Sequence, residues 1–148
     1  MAFTILVVDD SETMRAVIKK TVLMSGVPIG EFCEAGNGKE ALHILEETWV
    51  DVVLSDINMP EIGGIEFLQE VKKNEVLKNI PVIFISTESS QARMNEVADL
   101  GAAAYVKKPF MPGQIREVLL EVLNKAYATR MAEEGTATVP TADDEVAF

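Results

Sequence analysis

Three stretches of the chain are almost continuously apolar: "FTILVV" (Phe3–Val8), "VDVVLS" (Val50–Ser55) and "IPVIFIS" (Ile80–Ser86). Runs of this kind, rich in Val and Ile, are how strands buried on both faces read, as in a parallel sheet covered by helices. "GEFCEA" (Gly30–Ala35) and "AAAYVK" (Ala102–Lys107) are weaker and suit edge or near-edge strands. Between these runs the apolar residues recur at helical spacing. Met14, Val17, Ile18, Thr21 and Val22 form one stripe, and Phe67, Leu68 and Val71 another after the second glycine of "EIGGIEF". Met94, Val97 and Ala98 make a less regular one within Gln91–Leu100. Ile115, Val118, Leu119, Val122, Leu123 and Ala126 line the cleanest amphipathic face of the chain. The plain reading of each stripe is a side turned to a core.

Strand then helix, repeated five times, ends near Tyr127. The alternation predicts an α/β fold: an open, doubly wound, five-stranded parallel sheet with right-handed crossovers. A chain of 148 residues is enough for one such domain and not comfortably enough for two. That domain occupies residues 1–127. Residues 128–148, "ATRMAEEGTATVPTADDEVAF", lack a sustained period and read as an acidic, mostly disordered tail, with the last helix prolonged into it by a turn or two.

Composition narrows the classes. No apolar run approaches the roughly 20 residues of a membrane span, and "MAFTILVVDD" has no basic region ahead of its apolar run. The expectation is a cytoplasmic protein without membrane insertion. The lone Cys33 excludes an intramolecular disulfide and a multi-cysteine metal cluster, and reads as a small buried apolar residue. Net charge is −11, and the last 21 residues carry −4 of it, five acids against one arginine. No basic cluster offers a footprint for a phosphate backbone, so nucleic acid is not expected as a direct partner. An acidic protein that handled phosphates would need a cation.

In open α/β sheets, ligands gather beyond the carboxyl ends of the strands, where strand order reverses. The residues that follow each buried strand therefore outline a site. After the first strand come Asp9 and Asp10; after the third, "SDINMP" supplies Asp56. After the fourth, "ISTES" supplies Thr87, and after the fifth, "YVKKPF" supplies Lys107, Lys108 and Pro109. Clustered carboxylates cannot all stay ionised in a cleft without a counter-charge. An oxygen-only set, without His or Cys, suits a hard divalent ion, and partly hydrated Mg²⁺ fits best. Phosphoryl transfer needs mainly positioning and neutralisation of the phosphoryl oxygens, which a metal, an ammonium and a hydroxyl supply. A carboxylate can itself be the nucleophile. Asp56 is the candidate, being single and placed after the central strand. Any one of these residues alone would more often be a helix cap or a turn former. Their joint placement at four strand ends is what favours function.

The strings "VVDDSETMR", "LSDINMPEIGG", "FIST" and "AYVKKPF" resemble the receiver domains of two-component response regulators, most closely the single-domain chemotaxis type. The resemblance covers about Phe3–Tyr127. It implies the flavodoxin-like strand order 2-1-3-4-5, for which CheY-type receivers are a standing example. It implies that Asp56 accepts phosphate from the phosphohistidine of a histidine kinase. Asp10, Asp56 and the backbone carbonyl of Asn58 would bind Mg²⁺ directly, and Asp9 would assist through water. Lys108, across a cis Lys108–Pro109 bond, would contact the phosphoryl group. Thr87 would close on a phosphoryl oxygen, and Tyr105, otherwise only an edge-strand aromatic, would swing inward as the readout. Output would then be docking to a downstream protein such as a flagellar motor switch component, through the fourth helix, fifth strand and fifth helix. A phosphatase is a further possible partner. One position departs from the family. Receivers usually carry a small residue directly after the switch hydroxyl, and this chain has Glu88. Its carboxylate either lines the phosphoryl pocket, points to solvent or pairs with Lys107.

Competing readings remain within the α/β class. One is a single-domain receiver that relays phosphate or binds kinases outside chemotaxis. An aspartate-nucleophile phosphatase would need a second acid two residues after Asp56, where Asn58 stands, which argues against a turnover enzyme. A flavodoxin would need a phosphate cradle where "DDSE" would repel one. The other signals are bland. His43 reads as a surface or boundary residue, Trp49 as packing, and Asn37-Gly38 as a turn into the second helix. Lys19-Lys20 and Lys72-Lys73 read as solvated faces.

Overall fold

The computed structural model describes residues 2–88 and 90–134, with side chains described as far as residue 128. Five strands alternate with five helices: β1 (Phe3–Val8), α1 (Glu12–Met24), β2 (Ile29–Ala35), α2 (Gly38–Glu47), β3 (Val52–Ser55), α3 (Gly64–Lys73), β4 (Val82–Ser86), α4 (Gln91–Asp99), β5 (Ala104–Lys107) and α5 (Pro112–Glu134). The sheet order is β2-β1-β3-β4-β5 and every pairing is parallel. Strands β3, β4 and β5 each start later than their apolar runs. Of the residues left out, Val50, Ile80 and Ala102 are nevertheless buried. An apolar run reports burial, and the ladder begins only where a neighbour is in register.

Alternation along each strand divides the core in two. Ile5 and Val7 of β1, with Leu54, Ile83, Ile85 and Val106, meet Ile18 and Val22 of α1 and Ile115, Leu119 and Val122 of α5. Leu6 and Val8, with Val53 and Phe84, meet Leu45 of α2, Phe67, Leu68 and Val71 of α3, and Val97 of α4. Helices thus cover both faces, as continuous apolar strands require. Each large side chain so buried contributes about 1.5–3 kcal/mol relative to exposure. The cover is uneven: α3 buries Gly64, Phe67, Leu68 and Val71, whereas α4 buries Val97 alone.

Local chemistry sets the helix starts. Ser11 Oγ accepts the Met14 N–H at 3.1 Å, and Asn37 Oδ1 accepts that of Glu40 at 2.9 Å. The Asn37-Gly38 pair is therefore a cap and first helical residue. Glycine is required at 38 because a β-carbon there would lie 2.6 Å from Ile62 Cγ2.

Several expectations are corrected. Trp49 is 56% exposed, donating its indole N–H to Asp51 Oδ1 at 3.0 Å just before β3. Val17 is also exposed, because the α1 stripe is centred on Ile18 and Val22. Lys72 is half-buried rather than solvated; its ammonium donates to the Lys78 carbonyl at 3.1 Å, and burial pushes its pKa down. Cys33 is only partly buried, and that burial, with Glu31 nearby, pushes its thiol up. His43 is exposed beside Glu47, in keeping with the surface residue expected. Helix α5 continues past Tyr127 to Glu134, within the turn or two expected, and the rest of the expected tail lies outside the described residues. Among the described residues no helix is long and apolar enough to cross a membrane.

Candidate functional site

Adjacent parallel strands place the acids. The Asp9 N–H donates to the Ala35 carbonyl of β2 at 3.1 Å, and the Asp56 N–H donates to the Val8 carbonyl of β1 at 2.9 Å. Both bonds prolong the ladder by one step, so sheet register aims the two side chains before any local contact does. Carboxylate oxygens of Asp9, Asp10 and Asp56 all lie within 4.8 Å of one another. Asp9 is buried, Asp10 exposed and Asp56 between the two. Lys108 arrives from the end of β5, its N–H donating to the Ser86 carbonyl at 2.8 Å across a cis bond to Pro109. Its ammonium stands 3.5 Å from Asp9 Oδ2, with 13% of the side chain exposed.

Among the described residues, Asp9 Oδ2 is buried with no hydrogen-bond partner, while Oδ1 accepts the Ser11 N–H at 2.9 Å. The Lys108 contact is an ion pair at a separation too long for a good hydrogen bond. Burial, followed by the negative charge of Asp9, pushes the Asp56 carboxyl above the ordinary carboxylate range; Lys108 and the N–H groups of Ile57 and Asn58 pull the other way. The Ile57 N–H reaches Asp56 Oδ1 at 2.8 Å. Three carboxylates facing one ammonium leave a formal charge of −2. One divalent ion cancels it, and the donors are all oxygen. The residues present therefore fit a hard divalent cation, and the buried Asp9 Oδ2 is left without a hydrogen-bond partner among the described residues.

The second half of the site lies beyond β4. Thr87 is exposed immediately after the strand, and Asn58 is exposed beside Asp56 in the loop after β3. Tyr105 is 4% exposed and its hydroxyl donates to the Glu88 carbonyl at 2.7 Å. Burial raises its pKa most; a hydrogen bond with Ser86 and the charge of Arg93 lower it, and Glu88 and Asp56 raise it. The Glu88 carboxylate follows none of the three expected courses. It pairs with Arg93 of α4, Oε2 to Nε at 3.3 Å.

Arg15 escaped the sequence reading, and Lys19, expected on a solvated face, is instead engaged in an ion pair. Arg15 donates to the Asp9 carbonyl through Nη1 at 2.6 Å and to Glu34 Oε1 through Nε at 2.9 Å. Lys19 reaches Glu34 Oε2 at 2.6 Å. This clasp pins the acidic loop to β2 and draws the Glu34 carboxyl below its ordinary value, through the Lys19 and then the Arg15 bond. The i,i+4 spacing of Arg15 and Lys19 was available as a signal; the register that brings Glu34 to them was not. Arg93 carried no signal beyond its charge.

Comparison with known proteins shows the family. The family model described as "Response regulator receiver domain" matches residues 5–120. The chain is 35% identical over 130 residues to "Chemotaxis protein CheY homolog" of Campylobacter jejuni, covering 87% of this chain and 98% of that protein. It is 38% identical over 120 residues to "Chemotaxis protein CheY1" of Helicobacter pylori, covering 80% and 95%. Among solved structures, the chemotaxis response regulator CheY4 of Vibrio cholerae superposes with a TM-score of 0.66 at 31% identity, covering 85% of this chain and 99% of that one.

Proposed function

The chain belongs to the response regulator receiver domain family, and from that membership we propose that Asp56 is the phosphoacceptor of a two-component signalling pathway. The observation that carries the reading is the convergence of Asp9, Asp10, Asp56 and Lys108 at the carboxyl ends of β1, β3 and β5. An Asp56 carboxylate oxygen attacks the phosphorus of a histidine kinase's phosphohistidine. The P–N bond breaks, its electron pair leaves with the imidazole, and an acyl phosphate forms on Asp56. Lys108 holds positive charge against the incoming phosphoryl oxygens, and the Thr87 hydroxyl donates to one of them. Asp10, Asp56 and the Asn58 carbonyl would hold Mg²⁺, with Asp9 assisting through water. When bound, the ion supplies the hard positive charge that lets a phosphoryl group enter an acidic pocket.

The output is docking rather than turnover. Thr87 and Tyr105 flank the β4–α4 turn, and α4 is the least anchored helix of the fold. Movement of these residues therefore reshapes the α4–β5–α5 surface, where a downstream protein binds. The similarity to chemotaxis proteins supports a role in chemotaxis, and a flagellar motor switch component is the downstream partner we infer for it. Residues 1–127 form the receiver and 128–148 an appended acidic segment, in a protein that works in the cytoplasm. The test is intact mass after incubation with acetyl phosphate and Mg²⁺. One base-labile phosphoryl adduct is expected on the wild type and none on Asp56→Asn; an adduct that survives that substitution would overturn the assignment.

A further inference from the structure

Glu88 has three attachments, and each fixes the turn that carries Thr87. Its N–H donates to Ser86 Oγ at 3.1 Å, its carbonyl accepts the Tyr105 hydroxyl at 2.7 Å, and its carboxylate pairs with Arg93 at 3.3 Å. Arg93 sits in the first turn of α4, its own N–H accepted by the Ser90 cap at 3.3 Å. It reaches Glu96 at 3.5 Å and borders the cleft that opens beside Asn58 and Gly63. The side chains of Arg93 and Glu88 are 31% and 32% exposed. The Tyr105 hydroxyl and Arg93 are thus both tied to Glu88, the first through its carbonyl and the second through its carboxylate. A free carboxylate one residue after Thr87 would add a fourth negative charge to a pocket that must admit an anionic donor.

We propose that Arg93 is a positioning residue of the phosphorylation site, which draws the Glu88 carboxylate aside and neutralises it so that an anionic phosphodonor can approach Asp56. The inference rests on the reading of Asp56 as phosphoacceptor. It differs from a purely mechanical strap between the turn and α4 in what the double substitution does. A strap is broken equally by removing either partner, and removing both costs no more. A charge screen is asymmetric: losing Arg93 leaves Glu88 unopposed, whereas losing Glu88 leaves nothing to screen.

The experiment measures the rate of Asp56 phosphorylation by acetyl phosphate in the full chain, for wild type, Glu88→Gln, Arg93→Gln and the pair combined. Arg93→Gln is expected to slow the reaction by about threefold or more, from one unscreened charge near the donor. Glu88→Gln is expected to match or exceed the wild type, and the double variant to recover its rate. The Arg93→Gln loss should also shrink with phosphoramidate, a less anionic donor, and with added salt. Equal losses in both single variants, without recovery in the double, would overturn the screen, as would an Arg93→Gln rate equal to the wild type. Normal wild-type labelling that Asp56→Asn abolishes, combined with either result, refutes this inference alone. Wild type that is never labelled refutes both readings.

Discussion

The two halves of the site are built differently. On the side of β1 and β3 the acids are held by backbone: ladder bonds run from Asp9 and Asp56, and the Arg15–Glu34–Lys19 clasp closes over the loop. On the side of β4 and β5 the turn after Ser86 is held by a tyrosine hydroxyl, a serine hydroxyl and one ion pair. Behind it stands α4, with Val97 as its one buried residue among the described residues, against four in α3. The difference teaches a division of labour. The acidic pocket is preformed and electrostatically tense, while the turn proposed to change shape is attached by a few polar bonds, each worth only about 0.5–1.5 kcal/mol.

The preformed side should break hardest. Gly64 opens α3 directly under the loop that carries Asp56, and a β-carbon there would overlap the Asp56 carbonyl and lie 2.8 Å from Ile57 Cα and 2.9 Å from Phe84 Cε1. These are mostly backbone neighbours that cannot swing away. Gly64→Ala should cost roughly 2–4 kcal/mol, read as a lower urea midpoint. An unchanged midpoint would mean that this side is more pliable than its packing implies.

The pliable side should yield less. Tyr105→Phe removes the donor to the Glu88 carbonyl and should lower stability by about 1 kcal/mol, with faster amide exchange confined to the β4–α4 turn and α4. Exchange that quickened equally in β1 and β3 would erase the contrast between the halves.

The smallest effect belongs to the clasp and depends on pH. Glu34 has its carboxyl drawn below the ordinary range by Lys19 and Arg15. The unfolded chain thus holds that proton more tightly than the folded one. The stability it contributes is present above the ordinary carboxylate pKa and disappears as pH falls through the depressed value. Glu34→Gln should be less stable than the wild type at neutral pH by about 0.5 kcal/mol, since the group is partly exposed and screened. The two proteins should converge in strong acid. A gap that persists unchanged at low pH would assign the effect to something other than charge.

How much of this was legible in the sequence follows the same division. Asp9, Asp56 and Lys108 could be located because a parallel sheet brings strand ends together whatever the intervening residues do. The strand order itself entered through resemblance. Arg15 was not legible because its partner Glu34 lies on another element, and pairing depends on register. The direction taken by Glu88 depended on a rotamer and on the approach of α4, and neither leaves a periodic trace. Trp49 and Lys72 were misread for a common reason: residue type sets a preference for burial, and position relative to the end of the sheet decides the outcome.

The central claim is that the acids form a ready pocket waiting for a divalent ion, a claim that calorimetric titration with Mg²⁺ tests most directly. One ion per chain is expected to bind the wild type, with affinity weakened about tenfold or more in Asp10→Asn and in Asp56→Asn, since each removes a charged ligand and lowers the excess negative charge. Equal affinity in all three proteins, or no binding to the wild type, would contradict the account.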